Sequence, residues 1–202
     1  MVAGPRRRGA ALVKALHSAV LEELDEVGLG RLTMDGVARR AGTARTTLYR
    51  RWANPGELLL SAIGEAYPVE EPSPVAGELR ADLIRSLELL VEWARHPTAR
   101  AVQAILAERR AHPELAARLD ELFDASGRRF TATVLDHYAR LGTIAPGSVT
   151  PLVENLGEAM VVKHWIDVGR EPDREYLVQI VDQLILPVLG DRSAAADPCA
   201  GP

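Results

Sequence analysis

A single cysteine, Cys199, occurs in the 202 residues and lies in a Gly/Pro/Ala-rich end. This excludes an intrachain disulfide and a cysteine-built zinc site, and fits a reducing compartment. Aromatic residues amount to only 4%. Strands favour aromatic and β-branched side chains, whereas Ala, Leu, Arg and Glu, which dominate here, favour helices. The expected fold class is therefore all-α. No apolar run approaches the ~18 residues of a membrane span. The N-terminal apolar stretch is broken by Lys14, His17, Glu22 and Glu23, which argues against a signal peptide and for a cytoplasmic protein with no membrane partner. No repeat of fixed period appears and no glycine-rich phosphate loop follows a strand pattern, so nucleotide-binding folds are poor candidates and no cofactor is expected.

Catalytic and metal chemistry are equally short of material. His96, His112, His137 and His164 are spaced too widely to pair as ligands on one helical turn. Ser126, Asp136 and His137 make a triad on paper, but no nucleophile turn or glycine-rich oxyanion segment accompanies them. No enzyme activity and no metal are expected.

What is present is a packable chain, 47% hydrophobic, with an uneven charge distribution. Residues 1 to 67 hold 10 Lys/Arg against 7 Asp/Glu, and the remainder hold 14 against 21. The overall charge of −4 hides a basic front half that suits phosphates and an acidic rear half that limits non-specific binding.

Glycine and proline punctuate the chain at helical intervals. Apolar residues at Leu12, Leu16, Ala19, Val20, Leu24 and Val27 predict a helix from about Arg7 to Val27, ended by Gly28. Thr33 is a suitable N-cap for a second helix through Met34, Val37, Ala38 and Ala41, stopped by Gly42. A short third helix is expected from about Ala44 to Arg51. A fourth should begin at Asn54-Pro55, a cap followed by proline at the first helical position. The proline-rich stretch 67–74 marks a linker. The domains expected are thus 1–67, 68–190 and a disordered tail 191–202. Later helices are expected over Ala76 to Arg95, Thr98 to Arg110, a long Glu114 to Leu141, Val149 to Val168 and Asp173 to Leu189, about nine in all.

Two short helices joined by a tight glycine turn are a helix-turn-helix. Met34, Val37, Ala38, Leu48 and Trp52 should bury against the first helix. That leaves Arg45, Thr46, Thr47, Tyr49 and Arg50 on the outer face. Arginine forks suit phosphate or guanine, threonines are short enough for a helix to enter the major groove, and a phenol can donate to phosphate. The helix N-terminus at Thr33 is a further phosphate site.

The string LTMDGVARRAGTARTTLYRRWANPGELL resembles the DNA-binding signature of the TetR (tetracycline repressor) family, with its Thr-x-x-x-Val-Ala start, Ala-Gly turn and Thr-Leu-Tyr-x-x-Trp recognition helix. The resemblance covers roughly residues 9 to 63. It implies a homodimeric repressor on an inverted-repeat, double-stranded operator, released by a small-molecule effector. It also implies DNA contacts at Thr33, Thr43, Arg45, Thr46, Thr47, Tyr49 and Arg50. One position departs from the pattern: Pro55 stands where family members often carry a phosphate-touching Lys, so Arg39, Arg50 or Arg51 must supply that contact or it is absent. Arg6-Arg7-Arg8 reads either as a groove-seeking arm or as a solvated end.

In the family layout the C-terminal helices enclose an apolar ligand cavity. Leu90, Trp93, Ile105, Phe123, Phe130, His137, His164 and Trp165 are the candidate lining residues. The last two helices carry more apolar surface than a terminal pair needs, which predicts dimerisation through them, with Gly157 and Ala159 permitting close approach.

Overall fold

The computed structural model describes residues 9–68, 70–126 and 130–190. The described residues form eleven α-helical segments and no strand. The expected disordered tail, Cys199 and Arg6 to Arg8 lie outside them.

The first four helices follow the sequence closely: α1 Ala10–Val27, α2 Met34–Ala41, α3 Arg45–Tyr49 and α4 Pro55–Ala66. Their ends are chemically fixed. Thr33 Oγ1 accepts from Gly36 N–H at 3.1 Å, and Asn54 Oδ1 accepts from Glu57 N–H at 2.9 Å. The Glu57 carboxylate reaches back to Ala53 N–H at 2.8 Å, close to a capping box. A 3-10 turn, Leu29–Arg31, follows α1 and was not signalled by periodicity.

Further on are α5 Leu79–Ala94, α6 Pro97–Ala107, α7 Pro113–Ser126, α8 Phe130–Arg140 and α9 Pro151–Val168. Of the long helix expected over Glu114 to Leu141, α7 and α8 are described on either side of residues 127–129, and the expectation for those three lies outside the described residues. The two described parts fall in different compact units. The last helix is interrupted: α10 Arg174–Ile180 runs through a π turn, Val181–Ile185, into α11 Leu186–Gly190. Pro187 cannot donate the helical hydrogen bond, and a π turn beside it absorbs that break.

Packing divides the chain into residues 1–67 with 94–126, and residues 68–93 with 127–202. In the first unit α6 and α7 pack on α1 and α4, so its core combines Leu16 and Val20, Val37, Leu48, Leu58, Leu59 and Ile63 with Ile105 and Leu119, each fully buried. Arg100 pairs with Asp25 at 2.6 Å and Arg118 with Glu57 at 3.0 Å, tying α6 to α1 and α7 to α4. These two helices thus pack in the same compact unit as α1 and α4. In the second unit Leu83, Leu87, Val134, Leu135, Tyr138, Val161 and Ile185 form the core. Burying each such aliphatic side chain contributes about 1.5–3 kcal/mol.

Two expectations change with the packing. Gly157 is not a surface notch for a partner. It is buried, and a Cβ there would meet Leu87 at 2.9 Å, Thr131 at 3.1 Å and Ile185 at 3.2 Å, so its smallness joins α9 to three elements of its own unit. Trp52 is only half-buried, its ring 5.9 Å from that of His17, because α3 ends before it.

Candidate nucleic-acid interface

Gly42 sets the geometry of the turn between α2 and α3. Its φ of 62° is left-handed, which glycine adopts without strain. Thr43 N–H reaches Ala38 O at 3.0 Å and Gly42 N–H reaches Arg39 O at 3.2 Å, the two bonds of a Schellman end. Ala44 is extended and caps α3 through its backbone alone.

On the inner side of α2 and α3, Met34, Val37, Ala38 and Leu48 are buried as expected. On the outer side Thr33, Arg45, Thr46, Tyr49 and Arg50 are exposed, while Thr43 and Thr47 are half-buried at the edge. The seven sequence candidates thus fall on α2's N-terminus, the turn and α3. Thr33 Oγ1 uses one lone pair to accept the cap bond, leaving its O–H proton to donate. Arg45 is not a loose side chain: its Nη1 donates to both Asp35 oxygens at 2.9 Å, and its Cζ sits 5.3 Å from the centre of the Tyr49 ring. Hydrogen bonding to Asp35, then its charge, strengthens the protonated guanidinium.

The other cations of the region differ in availability. Arg40 is committed to α1, bonding Glu23 at 3.0 Å and Glu26, with Glu22 at 3.8 Å. Arg39, Arg50 and Arg51 are exposed. Pro55, in place of a lysine, is half-buried and lines an open groove of about 480 Å³ with Leu29, Leu32, Leu115 and Arg118. Sequence reasoning missed Asp35 and Glu23. Asp35 stands ten residues from Arg45 and meets it only across the turn, a proximity no helical periodicity encodes.

The candidate ligand residues are divided between the units. Ile105 is fully buried, and Phe123 stacks obliquely on Tyr67 at 4.8 Å, both in the unit that contains α1 and α4. Leu90 and Phe130 are buried in the other unit, with Trp93 6.1 Å from Phe130. His137 meets Tyr138 edge-on at 5.2 Å, and His164 lies 4.5 Å from Tyr176. Trp165 is half-buried on α9, and the Nε2 atoms of both histidines are buried without a hydrogen-bond partner.

Along α9, Leu152 and Ile166 are 79% and 74% exposed, with Val162 and Val168 also exposed. These fractions are too large for side chains packed within their own chain. Among the described residues no helix is long and apolar enough to cross a membrane.

Known proteins share this arrangement. Residues 16–62 match the family model for bacterial regulatory proteins of the tetR family, and residues 74–184 match the tetracyclin repressor-like C-terminal domain. An uncharacterised HTH-type transcriptional regulator of Mycobacterium tuberculosis is 31% identical over 175 residues, covering 86% of each chain. A DNA-binding transcriptional repressor TetR of Mycobacteroides abscessus is 29% identical over 191 residues, covering 89% of this chain and 94% of its own. The fold is also similar to that of the fatty acid degradation regulator FadR from Bacillus halodurans, with a TM-score of 0.61 at 21% identity over 92% of this chain and 98% of that one.

Proposed function

The chain belongs to the TetR family of DNA-binding transcriptional regulators, and we propose that it is a homodimeric repressor that leaves its operator when a small, mainly apolar ligand binds. The observation that carries the proposal is the outer face of α2 and α3. It presents Thr33, Arg45, Thr46, Tyr49 and Arg50 to solvent, with Thr43 and Thr47 at its edge, over a fully buried Leu48. In this reading α3 enters the major groove, Arg45, Thr46 and Thr47 meet base edges, and Thr33, Thr43, Tyr49 and Arg50 hold phosphates.

Repression and ligand release come from the likeness to a repressor and from the domain division at about residue 67. The rear domain supplies the ligand contacts, for which Leu90, Trp93, Phe130, His137, His164 and Trp165 are the candidates within one compact unit. Ile105 and Phe123, the other two candidates, lie in the unit that contains α1 and α4. Dimerisation is assigned to α9 and the α10–α11 helix, because Leu152, Ile166 and Val188 leave apolar surface exposed there.

The test is a fluorescence-anisotropy titration of the full chain against its own upstream intergenic DNA. Saturable binding to an inverted repeat, with log K falling steeply against log salt, is expected. Tyr49→Phe should weaken it without lowering the melting temperature. Binding that ignores sequence would sink the proposal.

A further inference from the structure

Asp35 lies on the α2–α3 face and is given no DNA contact in the reading above. It lies in the first turn of α2, exposed, with its carboxylate directed across the turn at Arg45, the first residue of α3. Both side chains of the pair are more than half exposed, at 57% and 63%. Exposed ion pairs contribute little to folding, so the consequence of this one is orientation and not stability.

The orientation is specific. Asp35 takes Nη1 alone, at 2.9 Å to each oxygen. The Tyr49 ring lies against the guanidinium, 5.3 Å from Cζ. An arginine otherwise free to sample many rotamers is therefore held at one nitrogen and along one face. The edge formed by Nε and Nη2 is not engaged by Asp35. That edge presents the parallel pair of donors that matches O6 and N7 of guanine. Asp35 also places a negative charge where a phosphate would otherwise attract Arg45.

Resting on the reading that α3 enters the major groove, we propose that Asp35 is a positioning residue that sets operator specificity. It holds Arg45 so that the Nε–Nη2 edge reads one guanine in each half-site and does not settle on the backbone. Aspartate at this place thereby exchanges some general affinity for discrimination.

The experiment is parallel selection from a random pool of double-stranded DNA with the full-length protein, using the wild type, Asp35→Asn, Arg45→Lys and the double variant, followed by sequencing. The wild type should enrich an inverted repeat with a fixed G·C pair in each half. Asp35→Asn should still enrich the repeat, but with preference at that pair reduced about tenfold. Its melting temperature should match the wild type. Arg45→Lys, which keeps the charge and loses the fork, should lose the same preference, and the double variant should be no worse than Arg45→Lys. An Asp35→Asn pool with guanine at the wild-type frequency overturns the inference. So does a further loss from Asp35→Asn in the Arg45→Lys background, which would make Asp35 act on specificity independently of Arg45. A wild-type repeat with no fixed G·C also overturns it while leaving the repressor reading intact, whereas a wild-type pool with no enriched sequence removes both.

Discussion

At the residue scale, α1 and α2 are joined by a reciprocal choice of a large acid and the smallest residue. Glu23 is 5% exposed and bonds Arg40 at 3.0 Å. A Cβ at Gly36 would overlap its Oε1. Gly36→Ala should therefore destabilise by about 1–3 kcal/mol, although alanine is the better helix former by ~1 kcal/mol. The cost should shrink in a Glu23→Ala background, as thermal melts of the four proteins would show; equal costs in both backgrounds would contradict the packing account. Glu70 is a second buried acid, 7% exposed, with Oε2 lacking a hydrogen-bond partner. Burial raises its pKa, opposed by Arg85 and assisted by Asp82 and Glu71. The folded state thus binds its proton more tightly than the unfolded state does. Its contribution is greatest at low pH and is lost as pH rises from the ordinary carboxylate range through the raised value. The raised pKa makes Glu70 less favourable to folding at pH 7 than at low pH, so Glu70→Gln should raise the melting temperature at pH 7, with a smaller difference near pH 4. A lower melting temperature at pH 7 would show that the attraction to Arg85 outweighs desolvation.

At the element scale, α4 packs on α1 and on both α6 and α7 of its unit. Gly56 faces Leu115 and Gly64 faces Leu122, where a Cβ would stand 3.1 Å and 3.3 Å from the leucine methyls, so α7 lies close along its length. The Arg118–Glu57 pair fixes the near end. Leu59 and Ile63, both fully buried, belong to the same packed core as Ile105 of α6 and Leu119 of α7. If ligand binding biases the separation of the recognition helices, this contact must shift with it. Alanine at Leu59 or Ile63 costs about 2–5 kcal/mol and is expected to loosen the whole unit. Ile63→Val, costing ~0.5–1.5 kcal/mol, is the cleaner probe. With an effector identified by thermal-shift screening, Ile63→Val should keep operator affinity and reduce the factor by which effector lowers it. An unchanged factor in Ile63→Val and in Leu59→Ala would show that α4 is not the transmitter.

At the scale of the whole molecule, the question is what covers the outer face of α9. Leu152, Ala159 and Ile166 recur at heptad spacing on exposed positions, while Val153, Gly157 and Val161 point inward. A helix apolar on both faces needs a second neighbour, and two copies of α9 can provide it for each other. Leu152→Glu with Ile166→Glu should yield a folded monomer by sedimentation and weaken operator binding by more than tenfold, because one recognition helix then reads one half-site. A dimer that persists through both substitutions would place the interface elsewhere.

Much of this protein was legible in its sequence because the deciding interactions are local. Thr33, Gly42, Asn54 and Pro55 act within four residues of themselves, so the boundaries of α2 and α4 and the outward face of α3 follow from caps, turns and periodicity. The family signature lies in the same segment and identifies the regulator without reference to tertiary contacts. What only the tertiary structure decided depends on distant pairings. Glu114 to Leu141 reads as one helix by periodicity, yet its two parts serve different cores, with Leu119 in one and Val134 in the other. Gly157 reads as a dimer notch, yet Leu87, Thr131 and Ile185 fill the space above it. Asp35 reads as an ordinary first-turn acid, yet the turn brings it to Arg45. A pattern of period 3.6 fixes which residues share a helical face, but only packing against the rest of the chain decides what that face meets.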